Sequence, residues 1–221
     1  MSNIYETPFL NALQDASMHP GGLRLTDRAA RLAELTPGML VADIGCGAGV
    51  TAAFLSSKHR LSMIGLEISS ALVDAGLKRY PGLRLIRWDC GTLPFEDGCL
   101  DGVVIECALS VIGRTEAILS ECARALKTTG TLIISDVFLR AEAPAAAPLT
   151  TAEGLTRLLK KTGFDVAVSE DHTPALKTYL AELREQSHAD FDTGSLLCAP
   201  RAGARPKLSE LSYTLIIARK N

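Results

Sequence analysis

Four carboxylates, Asp43, Glu67, Asp89 and Glu106, stand at or just past the ends of apolar runs in this chain. The first lies in Val41-Ala42-Asp43-Ile44-Gly45-Cys46-Gly47-Ala48-Gly49, where glycines alternate at 45, 47 and 49 just beyond the acid. Glycine at alternate positions lets backbone approach a ligand closely and adopt dihedrals that a Cβ forbids. A dinucleotide-binding turn requires G-x-G-x-x-G ahead of a helix, and the position of its third glycine is here Val50. An acid two residues before the first glycine also sits badly beside a pyrophosphate and suits a ligand bearing an ammonium group. The next run, Leu61 to Leu66, delivers Glu67, 24 residues after Asp43, where an α/β fold places an acid for a ribose diol.

Positioning these groups falls to runs at 39–44, 61–67, 83–88, 100–106 and 131–137, near-continuously apolar as strands buried on both faces are. Helix-like stretches at 49–57, 69–78 and 113–126 alternate with them, the β-α-β rhythm of a doubly wound parallel sheet. Ligand is then expected in the crevice at the carboxyl ends of the strands. A helix at 151–162, N-capped by Thr150 or Thr151, leads through Gly163 into a strand from Phe164 to Ser169. A helix from Pro174 to Gln186 and a last strand from Leu211 to Ala218 follow. Ahead of the core, the pattern predicts a helix over 8–17, a break at His19-Pro20-Gly21-Gly22, and a second helix capped by Thr26 that stops before Pro37-Gly38.

The segment from Asp43 to Gly49 resembles motif I of the class I S-adenosylmethionine (SAM) methyltransferases. Trp88 to Asp101, with Asp89, Leu93-Pro94-Phe95, Asp97 and Asp101, is similar to that family's D-x-x-x-L-P-F-x-D-x-x-F-D. Ala117 to Asp136, carrying Glu121 and Arg124, is similar to its E-x-x-R-V-L-K-P-G-G-x-L. On these motifs, in the right order, the chain is identified as a member of the family's small-molecule branch, the likeness covering about residues 38–170 well. The resemblance implies a three-layer, seven-stranded, mostly parallel Rossmann-like sheet whose last strand is antiparallel and slots between the fifth and sixth. It implies SAM as methyl donor and S-adenosylhomocysteine (SAH) as product. Asp43 with the backbone of Gly45, Cys46 and Gly47 would cradle the methionine moiety, and the helix opening near Gly49 its carboxylate. Glu67 would bind the ribose, Ile68 pack on the adenine, Asp89 and the Cys90 backbone meet its edge, and the Glu106 backbone reach the amino group. Thr128-Thr129-Gly130 replaces the family's Pro-Gly-Gly, with the glycine expected to keep a positive-φ turn.

A net charge of −2 over 221 residues, with both signs interspersed, offers no field for nucleic acid or an anionic membrane. Cys107-Ala108-Leu109-Ser110 lacks the Asn-Pro-Pro-Tyr type signature of base and glutamine methylation, and 5% aromatics leave little for stacking bases. A small-molecule acceptor is expected. No basic, apolar leader opens the chain and no run reaches the ~18 apolar residues of a span, so a cytoplasmic monomer or homodimer is expected. We read residues 1–221 as one domain, with 1–36 a helical lid and 171–210 an insertion shaping the acceptor pocket.

A general base matters only where the acceptor must lose a proton before attack. His19, Glu106 and Asp136 are the candidates, with His172 and His188 in the insertion. The six cysteines form no C-x-x-C pair and no zinc spacing, so no metal is expected. Two rival readings stay open. One is a metalloid methyltransferase in which Cys107, Cys198 and another thiol hold arsenite; the other is a SAM-binding protein without catalysis.

Overall fold

The order of exposure along the strands explains their sequences. β1 (Leu40–Ile44), β2 (Ser62–Glu67), β4 (Leu100–Glu106), β5 (Leu126–Leu139) and β7 (Leu211–Lys220) are buried over most of their lengths. The edge strands β3 (Arg84–Arg87) and β6 (Phe164–Asp171) are far more exposed, and β6 alternates residue by residue. Strands covered on both faces read as continuous apolar runs, whereas an edge strand keeps polar residues. The computed structural model describes residues 19–141, 150–186 and 206–221.

The strands form one seven-stranded sheet in the order β3-β2-β1-β4-β5-β7-β6. Pairs β1–β2, β1–β4, β2–β3 and β4–β5 are parallel, and β7 runs antiparallel to both β5 and β6. The expected doubly wound methyltransferase sheet is thus present, with its last strand in the expected slot. The chain order reverses at β1 and β4, and the crevice of such a sheet opens at that switch point.

Helices cover both faces. On one lie α1 (Gly22–Leu32), α2 (Val50–His59) and α7 (Thr173–Gln186), whose Leu25, Leu55 and Leu180 pack on Val41, Val104 and Ile217. On the other lie α5 (Thr115–Ala125) and α6 (Ala152–Lys161), whose Leu119 and Leu159 join Ile44, Ile105 and Ile134. Short α4 (Leu109–Ile112) bridges β4 and α5. Between β2 and β3, α3 (Ser70–Arg79) is N-capped by Ser69, whose hydroxyl accepts from Leu72 N, and it sets Val73 against Cys46 and Leu85.

Two motifs shared with the family prove to be one structural tie. Arg124 donates to both Glu121 oxygens (3.1 and 2.8 Å), to the Phe95 and Leu93 carbonyls (2.8 and 3.1 Å) and to Asp97 (2.8 Å). Glu121 in turn accepts from Leu93 N at 2.9 Å. The Leu-Pro-Phe loop and the Glu-x-x-Arg helix therefore occur together because each satisfies the other's polar groups.

Three expectations need correction. Helix α1 starts at Gly22 behind Gly21 (φ 82°), so Thr26 lies inside the helix and is not its cap. Strand β5 starts at Leu126, and the left-handed residue of its turn is Thr129 (φ 66°) rather than Gly130. Gly130 is required for another reason, because a Cβ there would stand 2.8 Å from the Lys127 carbonyl oxygen. Helix α4 was not anticipated. The helix expected over 8–17 lies outside the described residues.

Candidate active site

The loop after β1 is built by its glycines. Gly45 (φ 75°), Gly47 (φ 54°) and Gly49 (φ 80°) are all left-handed. At Gly45 a side chain would also collide with Ala108, whose Cβ lies 2.4 Å from the ideal Cβ position. At Gly47 nothing lies within 4 Å of that position, so the backbone there faces open space. Gly45 N and Cys46 N both donate to the Leu66 carbonyl, at 2.8 and 3.1 Å, which ties the loop to the end of β2. Gly49 begins α2 without a side-chain cap, leaving first-turn N–H groups for an anion.

Around this loop stand the carboxylates. Asp43 is 2% exposed, and its Oδ2 has no hydrogen-bond partner. Burial, reinforced by the nearby charges of Glu106 and Glu67, pushes the Asp43 carboxyl well above the usual range. Glu67 accepts from Ser69 N (2.9 Å) and Gly47 N (3.0 Å). A carboxylate offers roughly four lone-pair sites, so about two remain for a ligand's hydroxyls. Beside it Ile68 is 53% exposed, an apolar surface without a cover. Asp89 is exposed and accepts from Gly91 N at 3.0 Å, with Cys90 left-handed between them (φ 62°).

Glu106, the last residue of β4, sets its side chain in a buried cluster. Its Oε2 accepts from Thr51 Oγ1 (2.7 Å) on α2 and contacts His19 Nε2 at 3.1 Å, while Oε1 accepts from Thr26 Oγ1 (2.9 Å) on α1. His19 and Glu106 side chains are each 5% exposed. Burial alone would drive the His19 imidazolium toward neutrality, but Glu106 outweighs it and the histidine pKa is raised. Conversely, burial would protonate Glu106, but the charge and hydrogen bond of His19, with the two threonines, hold it below its usual range. The two threonines were missed in the sequence, although Thr51, two residues past Gly49, had a position that signalled contact with the loop.

The neighbouring strand ends are satisfied from within. Asp136, raised by burial, accepts from Ser110 N (2.9 Å), Ser110 Oγ (2.7 Å) and Val137 N (2.7 Å), and so anchors α4. Cys107 Sγ donates toward Tyr213 Oη at 3.6 Å, and that buried hydroxyl donates to Ser135 Oγ at 3.1 Å. Cys46 is buried with its thiol pKa raised by that burial and by Asp43 and Glu67. Among the described residues no three His, Cys, Asp or Glu side chains could hold a metal ion. His172 Nε2 pairs with Glu170 at 3.0 Å, on the β6 edge. His188 and Cys198 lie outside the described residues.

The structure thus brings Asp43, Gly45, Cys46, Gly47, Gly49, Glu67 and Glu106 to one strand-end cluster, and sets Ile68, Asp89 and Cys90 on the loops after β2 and β3. An unpartnered buried carboxylate oxygen, an open glycine cradle and an exposed isoleucine beside a ribose-type acid fit a ligand with an ammonium group, a diol and a flat base. That is the chemistry SAM presents, and the sheet order is that of the class I SAM-dependent methyltransferase fold.

Comparison with known proteins supports the class. Residues 42–134 match the methyltransferase domain family model. An O-methyltransferase of Pyrenophora dematioidea is 26% identical over 84% of this chain and 76% of its own length. The chain spans less of other curated relatives, 58% of a demethylmenaquinone methyltransferase of Beutenbergia cavernae and 34% of an Arabidopsis thaliana phosphoethanolamine N-methyltransferase. Among solved structures, the [4+2]-cyclase SpnF superposes with a TM-score of 0.80 at 21% identity, covering 96% of this chain and 92% of that one. A Haemonchus contortus phosphoethanolamine N-methyltransferase 2 in complex with SAM gives 0.76 at 22% identity, covering 96% and 56%. Fold alone does not fix the reaction, since one of these neighbours is a cyclase; the family match and the curated relatives carry it.

Proposed function

We propose that this protein transfers the methyl group of SAM to a small-molecule acceptor, in the crevice above β1 and β4. The single observation that carries the reading is Asp43, buried with one oxygen unpartnered. Such an atom costs stability unless something completes it, and an ammonium group completes it. Bound there, SAM supplies a methyl carried on a sulfonium leaving group. Asp43 and the Gly45–Gly47 backbone hold the amino acid end, the start of α2 its carboxylate, and Glu67 the ribose hydroxyls. Ile68 packs on the base, whose edge meets Asp89 and the Cys90 backbone. Glu106 as a whole is half-buried although its side chain is buried, which suits its backbone to the role assigned to it.

The protein's contribution to the transfer is alignment and exclusion of water. His19, Glu106 and Asp136 already hold protein partners, which favours an acceptor that needs no proton removed by them. The metalloid reading draws no support from Cys46, a buried thiol, or from Cys107, which is directed at Tyr213. We further propose that residues 1–221 act as one domain, that 1–36 close over the donor and that 171–210 shape the acceptor side. We propose a cytoplasmic monomer or homodimer without nucleic-acid or membrane partners; among the described residues no helix is long and apolar enough to cross a membrane.

The test is calorimetry with SAM and SAH, followed by a labelled-methyl screen over metabolite pools with arsenite included. Binding of both ligands with label transferred to a small molecule is expected. Tight binding without turnover on any acceptor would leave the non-catalytic reading, and no binding would remove the site assignment.

A further inference from the structure

The His19 cluster places a cation of the protein's own beside the carboxylates that await a cationic ligand. Both ring nitrogens of His19 have acceptors, Pro20 O at 3.2 Å from Nδ1 and Glu106 Oε2 at 3.1 Å from Nε2, as an imidazolium requires. Asp43 on β1 also acts on it through its charge. From α1 comes the Thr26 hydroxyl, 3.2 Å from Nε2. Thr51 on α2 and, more distantly, Tyr213 on β7 act on the Glu106 partner. The histidine is thus the positive member of a buried group that otherwise contains Asp43, Glu67 and Glu106.

Resting on the donor site proposed above, we infer that His19 determines how this protein distinguishes the methyl donor from its product. Loss of the methyl group converts a sulfonium into a thioether, so donor and product differ by one positive charge and little else. An imidazolium paired with Glu106, two residues beyond the β4 register partner of Asp43, disfavours the charged donor relative to the neutral thioether, because like charges in a poorly solvated site repel strongly. Neutral imidazole removes the repulsion. Low pH therefore favours retention of product, and rising pH favours its replacement by fresh donor. One proton differentially bound changes a ratio of affinities by at most about tenfold per pH unit.

The experiment is calorimetric titration of the full chain with SAM and with SAH from about pH 6 to about pH 9, where a histidine raised above its ordinary 6.5 loses its proton. In the wild type the ratio Kd(SAH)/Kd(SAM) should rise about tenfold across this range, and SAM should release more protons than SAH in buffers of different ionisation heat. In His19→Gln the ratio should stay within about twofold, since the amino group common to both ligands remains in both proteins. A flat ratio in the wild type, or an equal rise in His19→Gln, overturns the inference. Should His19→Gln fail to fold, histidine ring resonances of the wild type decide. SAM must lower the His19 titration midpoint more than SAH does, and equal displacement overturns the inference. Failure of the folded wild type to bind either ligand at any pH is a distinct result, which removes the donor site itself.

Discussion

The strand ends of β1 and β2 treat their polar atoms in the opposite way from those of β4 and β5. At β1, Asp43 keeps a buried oxygen without a partner, and at β2 Glu67 retains accepting capacity beside an exposed Ile68. At β5, Asp136 is equally buried yet accepts three hydrogen bonds, and the Cys107, Tyr213 and Ser135 side chains satisfy one another. Asp43 and Asp136 have similar burial, so burial alone does not distinguish the two regions. The distinguishing property is completion: the chain leaves accepting capacity unfilled in one region and satisfies the other from within.

Exchange of the two buried aspartates is the strongest way to break this comparison. Asp43→Asn should weaken SAM binding by about 100-fold, ~2.7 kcal/mol, in calorimetry. It should simultaneously raise the melting temperature of the ligand-free protein. The sign follows from the raised folded-state pKa, since ionisation of Asp43 above its unfolded value near 3.8 opposes folding and an amide removes that opposition. A variant that binds normally, or that loses both stability and binding, breaks the contrast.

Asp136→Ala should behave in reverse. Ser110 and Val137 lose their acceptors, at a cost of about 2–4 kcal/mol in denaturant unfolding, with SAM affinity changed less than about threefold. Glu67→Gln is intermediate in character: about tenfold weaker SAM binding, ~1.4 kcal/mol, because one of the two loop N–H groups loses its acceptor as well as the ribose.

The smallest effect belongs to the outer face of α1. Arg28 donates to both Glu170 oxygens, at 2.8 and 2.6 Å, and with His172 holds that carboxyl at about 2. A folded pKa below the ordinary 4.5 means stability present above 4.5 and lost as pH falls toward about 2. Arg28→Ala should therefore shift the urea midpoint slightly at neutral pH, by less than ~1 kcal/mol for a pair this exposed, and the difference should vanish near the acid end.

Legibility followed the same division. Continuous apolar runs gave β1, β2 and β4 nearly to the residue but missed the first five residues of β5, and the strand-end places of Asp43, Glu67 and the glycine loop were readable because each stands where an apolar run stops. The Glu106 cluster was not, since which way a strand-end side chain turns depends on what packs there, and Thr26 and His19 arrive from a distant segment. Thr26 read as a cap because threonine favours that role, yet Gly21 already supplies the left-handed start. Helix α4 has one turn and no cap of its own; it exists because Asp136, 26 residues from Ser110, holds it.

Three consecutive residues of α1 fasten it to three different places: Thr26 to Glu106, Asp27 to His59 and Arg28 to Glu170. These partners lie 80, 32 and 142 positions further along the chain. During synthesis α1 leaves the ribosome early but must wait for Glu170 before its last fastening forms, roughly 7–30 s at ordinary elongation rates. Until then its apolar face, Leu25, Ala29 and Ala30, lacks much of its final cover, so the nascent chain is exposed to misassembly or chaperone capture at this helix.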